Sequence, residues 1–220
     1  MTRDASRPSG TERMAGQVVG RLLDAGIDGI AAFDPAHVVA ERARAATGSV
    51  EAAVEHVVAS HTRMAAAGGF LTGVGGFVTM PLSLPANVVG FHVLATRMVA
   101  SVAHLRGYDV GRPEVRTAVL LSLVGGDAGG LLSKAGVGVP SGPVTRLALR
   151  RLPAPALMMV NKGIAFRLLT QLGRQGLARL GRGIPFAGGA VGAGLDAFLL
   201  RQIASTARAE FVPAQQVPAG

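Results

Sequence analysis

The chain lacks cysteine and tryptophan altogether, and it has one tyrosine among its 220 residues. Without cysteine it can form neither disulfides nor thiolate metal sites, and it has no thiol nucleophile. Membrane-spanning proteins usually carry Trp and Tyr at both membrane interfaces, which a single tyrosine cannot supply. Nevertheless, 49% of the residues are hydrophobic and the mean hydropathy is +0.41. The composition therefore leans toward membranes without the usual membrane-spanning pattern.

Charge is missing from one long segment. None of the 33 residues from Met64 to Thr96 is Asp, Glu, Lys or Arg, although Arg63 and Arg97 lie directly on either side. About 20 apolar residues can span a membrane, but this segment is rich in glycine and poor in leucine, which makes insertion of a spanning helix marginal.

We therefore predict that this segment is an apolar helical hairpin, turned at its glycines and at its prolines. Such a hairpin packs in the core and leaves one apolar face available to lipid. The sequence leaves open whether that face contacts lipid or only protein. The residues assigned to the hairpin are Phe70, Leu71, Phe77, Met80, Pro81 and Pro85.

The positive charge lies in the second half of the chain. Residues 1–110 contain 9 basic and 9 acidic residues, whereas residues 111–220 contain 13 and 4. A basic half attracts anionic lipid or nucleic acid, and the scarcity of aromatic side chains for base stacking favours lipid headgroups. Alternatively, the excess reflects arginine-rich coding, and these side chains are ordinary solvated ones. The basic residues concerned are Arg146, Arg150, Arg151, Lys162, Arg167, Arg174, Arg179 and Arg182.

Apolar residues recur at spacings of three and four, which is typical of helices, and strand-like alternation is absent. We predict an all-α fold with a single compact domain of about seven to nine helices over residues 12–211. Residues 1–11 and 212–220 are predicted to be flexible tails. The helices expected are 12–32, 35–46, 50–67, 86–108, 115–132, 156–180 and 185–211, with a short basic one at 145–151. Asp34 followed by Pro35 is the predicted cap of the second helix, and Ser49 is the predicted cap of the third.

Small residues four apart recur within these helices. Such pairs allow helix backbones to approach closely, either in lipid or in a dense protein core. They occur at Gly69/Gly73, Gly125/Gly129, Gly126/Gly130 and Gly188/Gly192.

One face of the predicted 86–108 helix carries polar side chains. Arg97, Ser101, His104 and Tyr108 follow one another at spacings of four, three and four, and Asp109 lies just beyond. This face is a candidate site for an anionic headgroup. It is alternatively a buried network in which Asp109 pairs with Arg97 or Tyr108, or a solvated helix face.

No pattern indicates an enzyme. The chain contains no G-x-S-x-G elbow, no P-loop and no G-x-G-x-x-G fingerprint. His56 and His61 are five apart, so they do not converge on a metal as an i, i+4 pair would. Asp127 and Asp196 lie in apolar helices, where pairing with an arginine is favoured over proton or metal chemistry. We therefore predict no catalytic residues, no metal and no cofactor.

Residues 73–85 read G-V-G-G-F-V-T-M-P-L-S-L-P, and they are followed by L-A-T-R-M at 94–98 and G-Y-D at 107–109. This stretch resembles the signature of the EcsC family, G-x-G-G-F-x-T-x-P-x-D-L-P, and the helix after it. A late G-I-P at 183–185 with Gly188, Gly192 and Asp196 is similar to a second family pattern. Ser83 stands where the family has Asp, and Asp196 where it has Asn. The resemblance implies a membrane or transport connection and transfers no catalytic residues.

Together these observations predict a non-enzymatic, EcsC-like protein at the cytoplasmic membrane surface, peripheral to its inner face. Its expected partners are anionic lipid or a membrane partner, with a membrane transporter as one candidate, and nucleic acid is disfavoured. The alternative is a soluble carrier or sensor that encloses a hydrophobic ligand. A hydrolase would require Asp127, Asp196 or His104 to share a cleft. The sequence does not indicate an oligomeric state.

Overall fold

The structure, a computed structural model, describes residues 10–31, 33–74, 76–124 and 187–214. These residues form six α-helices and no strand, which confirms the all-α class; the predicted helices at 145–151 and 156–180 lie outside the described residues. The helices are α1 (Gly10–Ile27), α2 (Ala36–Thr47), α3 (Val50–Val74), α4 (Gly76–Leu105), α5 (Pro113–Val124) and α6 (Ala187–Glu210).

Local signals account for most helix ends. Gly48 ends α2 with φ +76°, a left-handed conformation that glycine adopts without strain. The Ser49 hydroxyl then accepts from the Ala52 N–H at 3.2 Å, so Ser49 caps α3 as predicted. Asp34 does not cap α2 as expected: the helix begins after Pro35, and the Asp34 carboxylate accepts from Arg42 at 2.9 Å instead.

The predicted apolar hairpin corresponds to α3, which ends at Val74, and α4, which begins at Gly76. α3 continues beyond the predicted end at residue 67, and α4 begins ten residues before the predicted start, at Gly76. Pro81 and Pro85 are therefore helical, and the predicted turn between them is wrong. Each proline deletes only its own bond to the carbonyl four residues earlier, and the other bonds carry the helix across it.

α4 is the central helix of the bundle. It packs against each of the other five described helices, and every residue from His92 to Ala103 is buried. A helix buried on all sides must place any polar residue in the core, so the polar side chains of α4 need partners inside the protein.

α3 and α6 cross closely in antiparallel orientation. A Cβ added to Gly69 would lie 2.5 Å from the Gly192 carbonyl oxygen, and one added to Gly73 would collide with Gly188. At the other end of the pair, Arg208 of α6 forms an ion pair with Glu55 of α3 at 2.9 Å. Two of the four small-residue pairs in the sequence thus face each other, and those at 125–130 lie outside the described residues.

The chain after α6 is attached to the end of α4. The Tyr108 hydroxyl donates to the Val212 carbonyl at 2.8 Å, and the Tyr108 ring meets the Phe211 ring edge-on with centroids 5.3 Å apart. The Ala214 N–H donates to the Arg106 carbonyl at 2.9 Å. The first residues of the segment predicted as a tail are therefore bonded to the bundle.

Candidate functional site

Arg97 and His61 form a buried polar pair between α4 and α3. Arg97 Nε donates to His61 Nε2 at 3.1 Å, and the two residues are only 5% and 1% exposed. Arg97 ends the charge-free segment and lies within the buried stretch of α4. His61 continues the buried face of α3 that begins with Val54 and Val57. The helical period therefore directs both side chains into the same interior region.

The bonds around His61 define its protonation. Arginine can only donate, so Nε2 of His61 accepts and Nδ1 carries the proton. Nδ1 lies 2.8 Å from the Val57 carbonyl oxygen, to which it donates. Burial lowers the pKa of His61, and the positive charge of Arg97 lowers it further. The hydrogen bond to Val57 raises it, and the resulting pKa is about 4. His61 is therefore neutral at pH 7 and holds Arg97 without compensating its charge.

The remaining neighbours of the Arg97 guanidinium are also uncharged. Its Cζ lies 4.7 Å from the centroid of the Phe33 ring, and Nη2 lies 3.8 Å from Met64 Sδ. Burial lowers the pKa of Arg97, while the charge of Asp34 raises it. Asp34 itself is bonded to Arg42. Among the described residues, the direct contacts of Arg97 are thus an imidazole, a thioether and an aromatic ring.

A tight loop between α1 and α2 places Phe33 over Arg97. Ile30 and Phe33 exchange two backbone hydrogen bonds, of 3.1 and 2.8 Å. Gly29 has φ +84° and Ala31 has φ +48°, the latter unusual for a residue with a side chain. These two hydrogen bonds close the loop, and Phe33 is the loop residue that contacts the Arg97 guanidinium.

The polar face predicted on α4 divides into two parts. Ser101 is fully buried and donates to the Ala36 carbonyl at 2.9 Å, so it joins α4 to α2 in the core. Arg97 binds His61, and Asp109 accepts from the Gly111 N–H at 2.9 Å. Of the alternatives for Asp109, pairing with Arg97 is not formed, because Asp109 lies twelve residues after Arg97 and beyond the end of α4.

The other part of this face lines an open groove of about 570 Å³. His104, Tyr108 and Asp109 lie there together with Asp28 and His37. His104 Nε2 lies 3.8 Å from the Glu41 carboxylate, and the His37 and His104 ring centroids are 6.3 Å apart. Asp28 is bonded to Arg116 at 3.1 Å. Carboxylates and arginines thus already pair around this groove.

The described helices lack charge at one common end. Residues 64–74 of α3, 76–96 of α4 and 187–195 of α6 contain no Asp, Glu, Lys or Arg, and we call these three stretches the apolar end. Large apolar side chains are exposed there. Leu71 is 74% exposed, and Met64, Phe70, Val89 and Val191 are each between 40 and 46%. Phe77, Met80, Pro81 and Pro85 belong to the helical backbone of this end, and their side chains are outside the description.

Ion pairs occupy the rest of the described bundle. Glu51 of α3 bonds to Arg106, the residue after α4, at 2.8 Å. Asp24 of α1 and Asp28, the residue after α1, both bond to Arg116. Because α6 runs antiparallel to α3, its Arg208 lies with Glu55, away from the apolar end. Charge is thus segregated along the bundle, which the order of residues in the chain does not display.

Asp196 is buried beside the glycine crossing. It is 3% exposed, and its Oδ2 lies 2.6 Å from where a Gly69 Cβ would stand. Asp196 has an interaction partner, and its pairing with an arginine stays a prediction. Asp127 lies outside the described residues, as do Arg146, Arg150, Arg151, Lys162, Arg167, Arg174, Arg179 and Arg182.

Within the described ranges, no three His, Asp or Glu side chains form a group that could hold a metal ion. One helix of this part is long and apolar enough to cross a membrane, with the window Val88–Leu105 in α4. That window is 72% buried inside the protein, so it serves as core.

Comparison of the chain with protein-family models, with curated proteins and with solved structures finds no match. The resemblance to the EcsC family therefore stays a prediction from its residues. What the fold and the site define is a class of structure: an all-α bundle with an apolar end and a buried arginine–histidine pair at its border.

Three members of this site were not predicted. The spacing of His61 from His56 gives no metal site, but the position of His61 on the same α3 face as Val54, Val57 and Val58 marks it as a buried polar residue. Met64 and Phe33 carry no comparable signal, because only the packing of the α1–α2 loop and of α3 on α4 brings them to Arg97.

Proposed function

We propose that this chain is a non-enzymatic, EcsC-like protein that docks on the cytoplasmic face of a membrane through its apolar end. The observation that carries the proposal is the absence of charge from three neighbouring helix ends, together with the exposed side chains of Leu71, Phe70 and Val89. Exposed apolar surface gathered at one place is typical of a docking surface, whereas single exposed apolar residues are ordinary.

The dimensions favour shallow insertion. The charge-free part of α3 has eleven residues, Met64 to Val74, and therefore a length of about 16 Å at 1.5 Å per residue. The hydrocarbon core of a bilayer is about 30 Å thick. The charge-free part of α3 is therefore about half as long as the hydrocarbon core is thick, and the longer charge-free stretch of α4 is buried inside the protein from His92 onward.

The helical backbone suits this environment. Lipid penalises unpaired backbone groups, and helices satisfy theirs internally. The glycine crossing brings α3 and α6 together through backbone contact, so the apolar end does not need large side chains between these helices. The basic residues of 146–182 would favour a leaflet with anionic lipid, and a membrane transporter is a candidate protein partner.

Vesicle flotation tests the proposal with Leu71→Glu and a matched control, Ile30→Glu. Both substitutions replace an exposed aliphatic side chain, 74% and 55% exposed, by a carboxylate. Ile30 lies in the α1–α2 loop, two residues from the ion-paired Asp28. We expect Leu71→Glu to require at least about tenfold more lipid for half-maximal flotation, because inserting a carboxylate is costly. Ile30→Glu should float like the parent protein.

Equal flotation of the parent and Leu71→Glu would contradict the proposal. Carbonate extraction of membranes then distinguishes docking from spanning, since a docked protein is released and a spanning one stays in the membrane pellet. The alternative function, a soluble carrier or sensor enclosing a hydrophobic ligand, predicts no flotation and lipid that co-purifies with the soluble protein whatever the salt concentration.

A further inference from the structure

We propose that Arg97 binds the anionic headgroup of an amphiphile whose chain lies along the exposed side of α3. The headgroup chemistry is a phosphate or carboxylate oxyanion, and the apolar contact is made by Met64, Ala67 and Leu71. The proposal deepens the membrane function proposed above and rests on it for the apolar half of the ligand.

The first argument is charge. A guanidinium remains protonated in proteins, and a buried charge is costly unless an opposite charge accompanies it. Arg97 is 5% exposed, yet its described contacts are neutral His61, Met64 and Phe33. Asp34, whose charge acts on Arg97, is bonded to Arg42. No oxyanion of the described residues is therefore bonded directly to Arg97.

The second argument is the geometry of the donors. The bond from Nε to His61 fixes the plane of the guanidinium. Nη2 is directed at the Met64 sulfur, which is a weak acceptor. An oxyanion in place of that thioether would receive charge-assisted hydrogen bonds, which are roughly twice as strong as neutral ones.

The third argument is access. Met64 and Phe33, which contact the guanidinium, are 40% and 38% exposed, so Arg97 lies one side chain below the surface. Met64, Ala67 and Leu71 are all exposed and follow at spacings of three and four, which places them on one face of α3. Leu71 lies about 10 Å beyond Met64 along the helix. An exposed apolar stripe therefore leads from the guanidinium into the apolar end.

Short-chain lipids below their micellar concentration test the ligand on the unmodified protein. We expect dihexanoyl phosphatidic acid to raise the melting temperature and to bind at least tenfold more tightly than dihexanoyl phosphatidylcholine or inorganic phosphate in calorimetry. Equal binding of inorganic phosphate and the phosphatidic acid would overturn the proposal that the ligand is an amphiphile whose chain contributes to binding. Absence of binding by the phosphatidic acid would overturn the site.

Arg97→Gln and Arg63→Gln form a matched pair, because both remove one positive charge and Arg63 is exposed beside Met64. We expect Arg97→Gln to weaken phosphatidic acid binding at least tenfold and Arg63→Gln less than twofold. Equal losses would assign the binding to general electrostatic attraction and overturn the proposal.

Met64→Glu provides a test that does not depend on the stability of Arg97→Gln. A carboxylate at this position reaches the guanidinium from the same helix that now supplies the sulfur. We expect Met64→Glu to melt at a higher temperature than Met64→Gln and to lose phosphatidic acid binding. A Met64→Glu protein that is no more stable than Met64→Gln and still binds would overturn the proposal.

The two proposals fail separately. Flotation that depends on Leu71 but not on Arg97 would retain the docking end and remove the headgroup site. Binding of the short-chain phosphatidic acid that depends on Arg97, in a protein that does not float, would retain the site and remove membrane docking.

Discussion

Arg97 is charged although it is buried, and its neighbours interact favourably with a positive charge. His61 offers an acceptor nitrogen only while it is neutral, and Phe33 offers the negative face of its ring. Protonating His61 would remove the acceptor and place a second positive charge beside the first. The pair therefore couples the stability of the α3–α4 contact to the protonation of one imidazole.

Acid should destabilise the fold well before the carboxylates are protonated. His61 and His92 are both buried, and it is mainly this burial that lowers the pKa of each from 6.5 to about 4. At a pH between the folded and unfolded pKa values, the unfolded chain binds more protons than the folded one. The free energy of unfolding therefore falls as pH falls, by about 1.4 kcal/mol per pH unit for each histidine. From pH 7 to pH 5 we expect a loss of about 4 kcal/mol in urea unfolding.

His61→Gln tests the assignment, because an amide oxygen can still accept from Arg97 and does not titrate. We expect the loss between pH 7 and pH 5 to fall to about 2 kcal/mol in this variant. His56→Gln, at an exposed position of the same helix, is the matched control. An unfolding free energy equal at pH 7 and pH 5 in the parent protein would refute the neutral, buried state of both histidines.

At the scale of elements, the α3–α6 crossing depends on residues without side chains. Gly69 and Gly73 meet Gly188 and Gly192 backbone to backbone, which no larger residue allows. The close approach brings the dispersion contacts of two helix backbones to a region poor in large side chains. It also places the buried Asp196 within the crossing.

Gly192→Ala should destabilise the protein, and Gly194→Ala should not. A Cβ at position 192 would collide with the Gly69 carbonyl oxygen, whereas nothing lies within 4 Å of one at position 194. We expect a loss of about 1–3 kcal/mol for the first, as for other overpacked positions. The second should gain about 0.5–1 kcal/mol from the higher helix propensity of alanine. Thermal and urea unfolding measure both, and equal effects would contradict the close crossing.

At the scale of the whole molecule, the described bundle has a charged end and an apolar end. The succession of α3 and α4 and the antiparallel placement of α6 against α3 bring three uncharged stretches together. The ion pairs of Glu51, Glu55 and Asp24 lie away from them. This polarity gives the proposed docking a single orientation, with the apolar end toward the membrane.

The absence of cysteine allows this orientation to be measured directly. A single cysteine at Leu71, Val89 or Glu41, labelled with an environment-sensitive dye, reports the polarity around each position. On anionic vesicles we expect a blue shift at Leu71 and Val89 and none at Glu41, since apolar residues enter the interface and charged ones stay in water. Equal shifts at the three positions would contradict end-on docking.

Much of the fold could be predicted from local signals. The all-α class follows from the helical spacing of apolar residues, and Gly48, Ser49, Gly107 and Pro113 mark helix ends through their own backbone chemistry. The prolines misled the prediction of α4, because a proline is a local signal whereas helix continuation depends on the bonds on both sides of it. Asp34 misled the prediction of the α2 cap because its carboxylate accepts from Arg42, eight residues further along the chain, instead of from the first backbone N–H groups of the helix.

The sequence by itself determined that 33 residues without charge are bounded by Arg63 and Arg97, that small residues recur four apart, and that no cysteine chemistry exists. These are properties of residue type and spacing, which need no partner. Only the tertiary structure decided that Arg97 meets His61, Met64 and Phe33 rather than Asp109, and which glycines face each other. Those contacts join residues that are 33 or more positions apart, and packing between helices, which local spacing does not encode, selects them.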